Sequence, residues 1–203
     1  MTNKPGTVII LNGPSAAGKS SVQKALQAKM KEPYLCMGID SVLVGMMPQR
    51  YFLGEESDRK EVLWAEFDKD EAGNALFNLY FGSKGRRVIF GMHEAIAAFA
   101  MNGNNVIVDY IQYEKEWMPH LMTTLSNIDT YYIGFDLPLE VLEEREIKRA
   151  TSPKGHARSH FKSVHEGAVY DLRLDTSLYT AEECAIQIAQ LIPTEELVLL
   201  DEK

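Results

Sequence analysis

The residues best suited to do chemistry lie near the start of the chain. Gly13, Gly18, Lys19 and Ser20 stand at the spacing G-x-x-x-x-G-K-[ST]. Across Gly13, Pro14, Ser15, Ala16, Ala17, Gly18, Lys19, Ser20 and Ser21, the backbone N–H groups, which Pro14 alone lacks, can curl around a phosphate. That curl is expected to need glycine at 13 and 18, with backbone angles closed to other residues. The positive end of a following helix would face the same anion. Lys19 would bring a point charge to the β- and γ-phosphates, and the Ser20 hydroxyl could ligate Mg²⁺. The chemistry expected of this run is binding of a nucleoside triphosphate, ATP, with its magnesium ion.

Such a loop works only between a strand and a helix. Residues 8–11 are apolar and β-branched, and Val22, Ala25, Leu26 and Met30 recur at helical spacing after the loop. Residues 34–40 read as a second buried strand ending in Asp40, with a short helix after it that Pro48 stops. Side chains at the carboxyl ends of parallel strands face the ligand crevice, yet Asp is also a common helix cap. Position alone leaves both roles open for Asp40. Residues 105–110 form another apolar strand, closing in Asp109. There an acidic residue is expected to hold Mg²⁺ directly or through water. Residues 130–136 and 170–176 complete the strands, with helices over 85–101, 114–125, 140–149 and 180–191. This alternation predicts an α/β fold, a P-loop nucleotide-kinase-like parallel sheet covered by helices on both faces.

Two stretches depart from that alternation. Residues 50–54 look extended, and 62–68 and 75–81 flank a polar turn with Gly73-Asn74, which predicts a β-hairpin. A helix over 59–69 is the alternative. Residues 48–84 are therefore expected to be an insertion over the acceptor site. Asp68, Asp70 and Glu71 lack the full calcium-loop pattern and read as a solvated turn. The other stretch is 145–160, expected to be a lid. Arg145 and Arg149 share a helix face at i, i+4 and are expected to meet phosphate. Lys148 fits a role at the helix dipole.

A chain of 203 residues suits one domain. A net charge of −8 argues against nucleic acid or an acidic membrane as a partner. Cys36 and Cys184 have no metal spacing and suit a reducing compartment. With no signal-like start or spanning apolar run, a cytoplasmic protein is expected. The sequence leaves the oligomeric state open.

Ile-Leu-Asn-Gly (10–13), Ala-Gly-Lys-Ser (17–20), Gly-Ile-Asp-Ser (38–41), Arg-Glu (145–146), Arg149, Val-His-Glu-Gly (164–167), Tyr-Asp (170–171) and Asp-Thr (175–176) together resemble the chloramphenicol phosphotransferase-like proteins. The resemblance runs in the same order over almost the whole chain. It implies a five-stranded parallel sheet with a lid, and transfer of the ATP γ-phosphate to a substrate hydroxyl. It makes Asp40 the general base and gives Arg145 and Arg149 lid roles. Two positions depart from the family pattern. Asp109 is followed by Tyr110 where the family has a second Asp, and Ser152 stands where it has a lid arginine, with Lys154 and Arg158 as candidate substitutes. The expected acceptor is a small hydroxyl compound, chloramphenicol-like or another metabolite. Two rivals remain: a nucleotide-binding switch acting through a protein partner, and a kinase of a nucleotide or activated sugar. The latter needs a basic pocket that Arg50, Arg59, Lys84, Arg86 and Arg87 could supply.

Overall fold

The computed structural model describes residues 4–149 and 153–193. Strand β1 (Val8–Asn12) lies at the centre of a five-stranded parallel sheet. Its neighbours are β5 (Asn105–Tyr110) on one side and β6 (Thr130–Phe135) on the other. The outer strands are β2 (Tyr34–Gly38), beside β5, and β7 (Leu172–Leu174), beside β6. Alternation along β1 divides the core in two. Val8 and Ile10 join the cluster containing Met92, Ile96, Val106, Val108 and Leu121. Ile9 and Leu11 join Val22, Leu26, Ile107 and Ile188 on the opposite face. Period-two strands with both faces apolar require helices on both sides.

Those helices are α5 (Ser83–Met101) and α6 (Trp117–Thr124) on the first face, and α1 (Lys19–Gln27) and α9 (Ala181–Ala189) on the second. Pro119 is tolerated because it falls in the first turn of α6, where no intrahelical N–H is needed. Helix α9 starts on a capping box: the Thr180 hydroxyl accepts from Glu183 N, and the Glu183 carboxylate accepts from Thr180 N. Helix α7 (Leu139–Arg149) follows β6, and the short α8 (His156–His160) follows α7. No described helix is long and apolar enough to cross a membrane. Both cysteines are free.

The segment between β2 and α5 corrects two expectations. Strand β2 is an edge strand with Leu35 and Cys36 exposed, not a buried one, and it ends at Gly38. Helix α2 (Ile39–Met46) begins immediately because the Ser41 hydroxyl turns back on Gly38, accepting from its N–H at 3.0 Å and donating to its C=O at 2.7 Å. Residues 50–54 are not extended either: α3 (Arg50–Leu53) is a single helical turn. The two readings of 59–69 divide at Leu63. Helix α4 (Glu56–Val62) runs directly into β3 (Leu63–Lys69). Strand β3 pairs antiparallel with β4 (Ala75–Phe81) as the expected hairpin. Asp70 closes its turn, its Oδ1 accepting from Ala72 N at 3.0 Å and Asn74 N at 2.8 Å. The hairpin rests on α8. Phe77 N donates to Gly155 C=O at 3.2 Å. Gly155 fits because a Cβ there would lie 2.3 Å from the Ala75 carbonyl oxygen.

Candidate active site

Between β1 and α1 the glycines serve the loop differently than expected. Gly18 takes φ 89°, the left-handed region that a side chain disfavours. Gly13 does not. A Cβ at Gly13 would stand 2.7 Å from Phe135 Cβ and 2.9 Å from Phe135 O, so the requirement there is close approach to β6. The second left-handed residue of the loop is Ala16, at φ 62°. Lys19 is buried and folds back on the loop, its Nζ donating to Gly13 O and Pro14 O at 2.9 Å each. Burial lowers its ammonium below the ordinary range, against the opposing pull of Asp109 and then Asp40.

Asp109, near the carboxyl end of β5, approaches the start of α1 from the neighbouring strand. Its Oδ2 accepts from the Ser20 hydroxyl at 2.6 Å, and its Oδ1 lies 3.8 Å from Lys19 Nζ. Asp40 sits in the first turn of α2 rather than at a strand end. It does not cap that helix, since Gly38 holds the cap position. Partial loss of hydration raises its carboxyl above the usual carboxylate range, the Asp109 charge raises it further, and Lys19 and Arg149 act the other way.

Two recesses meet at the loop. An inner cavity of about 500 Å³ is lined on its polar side by Ser15, Lys19, Ser20, Asp40, Asp109 and Arg149. Leu79 from the hairpin, Ile111, Tyr113 and His156 line it opposite. An outer cleft of about 610 Å³ is bordered by Gly18, Ser21, Arg145, Lys148, Thr176 and Tyr179. Ala16, Ser20 and Arg149 belong to both. Of the other loop residues, Pro14 contributes its carbonyl to Lys19, and buried Ala17 accepts from the Thr176 hydroxyl at 2.7 Å.

The two arginines of α7 therefore part company. Arg149 faces the inner cavity and Arg145 only the outer cleft, where it donates to Thr176 Oγ1 at 2.7 Å and to Thr176 O at 2.6 Å. Arg158 is also committed, bonded to both oxygens of Glu143 at 2.7 and 2.9 Å and to Asp70 at 3.1 Å. Ser152 lies outside the described residues. Three of the basic residues proposed for a charged acceptor are paired elsewhere: Arg86 with Glu114 at 2.7 Å, Lys84 with Glu61, and Arg50 with the Tyr51 hydroxyl at 3.0 Å. None of the five cations lines the inner cavity.

Several residues that hold the site together had no role assigned from sequence. Asn12, at the end of β1, donates to Val164 O at 2.8 Å and to the Tyr170 hydroxyl at 2.6 Å, and accepts from Gln112 N at 3.1 Å. Gln112 in turn donates to Glu166 O at 2.6 Å. The Val-His-Glu-Gly segment is thus read largely through its backbone carbonyls. Buried Glu146 accepts from Gly155 N at 2.7 Å and Ala157 N at 2.8 Å, fixing the start of α8 against α7. His156 stacks on Tyr113 and shares a 3.0 Å hydrogen bond with its hydroxyl. Burial, with Lys19 nearby, lowers His156 to about 4. Buried polar groups at strand ends were the available signal for Asn12 and Gln112. Glu146 stood in the Arg-Glu pair of the family pattern without a role, and the α8 histidines carried no signal.

Known proteins resemble this chain in sequence and in fold. Two Mycobacterium tuberculosis proteins, provisionally named O-phosphotransferases, are 27% identical over 183 residues, covering 90% of this chain and 80% of theirs. A Janibacter sugar kinase, solved unliganded, superposes with a TM-score of 0.61 at 15% identity, over 92% of this chain and 93% of its own. The M. tuberculosis APS kinase, solved with AMPPNP and APS, gives 0.57 at 18% identity, over 92% and 97%. At such identities the shared property is the fold, that of P-loop kinases. The model of the chloramphenicol phosphotransferase-like proteins matches residues 6–193. With that match spanning the phosphate loop, both recesses and the closing helix, the chain belongs to the chloramphenicol phosphotransferase-like family of P-loop phosphotransferases.

Proposed function

We propose that this chain transfers the γ-phosphate of ATP to a hydroxyl of a small, uncharged molecule bound in the inner cavity. The observation that carries the proposal is that Asp40 lines the same cavity as Lys19 and Ser20 of the phosphate loop. A carboxylate open to the acceptor can orient its hydroxyl and take its proton as the bond to phosphorus forms, while the proton-free ADP departs on the loop side. Lys19 and Arg149 meet the transferring phosphoryl, and Arg145 meets the nucleotide from the outer cleft. The Ser21 edge of that cleft and Tyr179 flank the space left for the nucleoside.

The donor set offered by Ser20 and Asp109, a hydroxyl against a carboxylate at 2.6 Å, fits a hard divalent cation that keeps several waters. Ser20 and Asp109 would hold Mg²⁺ from the protein side. When bound, Mg²⁺ would neutralise charge on the β- and γ-phosphates. The neutral acceptor follows from the cavity's charges. Among the described residues, the only lysine and arginine lining it are Lys19 and Arg149, both assigned to phosphate, and Asp40 and Asp109 repel an anion. A phosphorylated acceptor is therefore disfavoured.

A screen of ADP release over hydroxyl compounds, including chloramphenicol, nucleosides and amino sugars, tests the proposal. An uncharged alcohol should stimulate release and appear as its phosphate ester. ADP release that no acceptor stimulates would favour a nucleotide-binding switch.

A further inference from the structure

Helix α8 carries two imidazoles one turn apart, and the second reaches the phosphate loop. His160 Nε2 lies 3.1 Å from the backbone nitrogen of Ser15. A backbone N–H can only donate, so Nε2 must present its lone pair and the ring proton must sit on Nδ1. Nδ1 then faces the Ser159 hydroxyl at 3.4 Å. Burial pushes His160 well below the ordinary imidazole range, which keeps that lone pair free. Ser15 borders the inner cavity and not the outer cleft, so the contact grips the limb of the loop beside the acceptor. The next residue, Ala16, holds a left-handed φ of 62°, uncommon for a residue with a Cβ.

The imidazole is not a loose plug in the anion ring. His160 is 4% exposed. Its helix is tied to α7 through Glu146 and through the Arg158–Glu143 pair, and to the hairpin through Asp70 and the Phe77–Gly155 hydrogen bond. His156, one turn earlier, faces the acceptor cavity with its ring 5.0 Å from that of His160. We propose that His160 is a positioning residue, whose Nε2 holds the Ser15 N–H and fixes the acceptor-side limb of the phosphate loop during phosphoryl transfer. This role rests on the phosphoryl-transfer reading above for its kinetic consequence, whereas the contact itself persists whatever the acceptor.

The full chain, labelled with ¹⁵N, tests this by nuclear magnetic resonance with and without magnesium and AMPPNP, alongside ATP turnover. The expected result is a His160 ring in the Nδ1–H form, with a hydrogen-bond coupling between Ser15 N–H and Nε2 that survives binding of the analogue. His160→Ala should lower turnover of bound ATP, to water or to an acceptor, by about tenfold, the rate equivalent of one lost hydrogen bond. The ATP dissociation constant should move less than about threefold. His160→Gln, whose side-chain oxygen can accept, should recover most of the loss. Disappearance of the coupling on analogue binding would overturn the role, making His160 a plug that nucleotide expels. Equal losses in turnover and affinity that glutamine does not rescue would overturn it as merely structural. If basal hydrolysis splits as expected while no acceptor is phosphorylated, only the acceptor assignment falls. A chain that neither binds nor turns over ATP removes both.

Discussion

Replacing Glu146 with Gln tests whether α8 is held by one buried carboxylate. Glu146 is 2% exposed, and its two oxygens accept separately from Gly155 N at 2.7 Å and Ala157 N at 2.8 Å. Gln keeps one oxygen and turns an NH₂ group toward the other N–H, leaving two donors facing each other. One charge-assisted hydrogen bond is lost, at about 1.5–3 kcal/mol, and one buried N–H is stranded, at about 1–3 kcal/mol. Both figures describe the same broken contact, so they overlap rather than add, giving about 2–3 kcal/mol. In a chain of this size that is a fall in Tm of roughly 4–12 °C. Circular dichroism melting of the full chain measures it. Turnover should fall as well, since α8 carries His156 and His160. A variant melting within about 1 °C of the parent, a difference worth less than 0.5 kcal/mol or so, would refute the reasoning.

Three other outcomes follow from the geometry. Lys19→Ala should abolish ATP binding in calorimetry, and retained affinity would contradict the phosphate-loop assignment. Gly13→Ala should destabilise by about 1–3 kcal/mol through overpacking against Phe135, read as a lower denaturant midpoint; an unchanged midpoint would show that β6 yields to the extra methyl. The pH dependence of stability has a definite sign. His93 is buried against His120 and the Tyr110 hydroxyl, and burial followed by the His120 charge lowers it from 6.5 to about 3. An unfolded chain takes up that proton below pH 6.5 and the folded one only near 3, so stability should fall as pH drops through this window. Above it, His93 contributes no slope. His93→Gln should flatten the acid side of a Tm-versus-pH curve, and an unaltered curve would exclude His93 as its source.

The sheet and the phosphate loop were legible because their signals are local. Apolar β-branched runs over β1 and β5, the glycine spacing and the hairpin's Gly73-Asn74 turn each act within a few residues. Asp40 does line the cavity beside the loop, yet its element was misread, because a Ser41 hydroxyl three residues on ends the strand at Gly38. The glycine at 13 was anticipated for its backbone freedom, whereas its reason is Phe135, 122 positions along the chain. Residues 50–54 carry the bulky Tyr51, Phe52 and Leu53, which suit a strand as well as a turn of helix; packing chose the helix. Arg145 and Arg149 share a helix face in sequence, but only the fold reveals that Thr176 holds the first at the outer cleft. Contacts such as His160 with Ser15 or Glu146 with Ala157 have no local pattern, since each is a single side chain meeting a backbone group brought there by topology.

Asp40→Asn is the most direct test of the phosphoryl-transfer scheme. The substitution keeps the shape of the side chain in the inner cavity and removes its ability to accept a proton. Turnover with a phosphorylated acceptor product should fall by roughly 10²–10⁴-fold, the range for a positioned base, while the ATP dissociation constant stays nearly unchanged. Turnover close to the parent's, or loss of ATP binding in step with turnover, would contradict the assignment of Asp40 as the group that activates the acceptor.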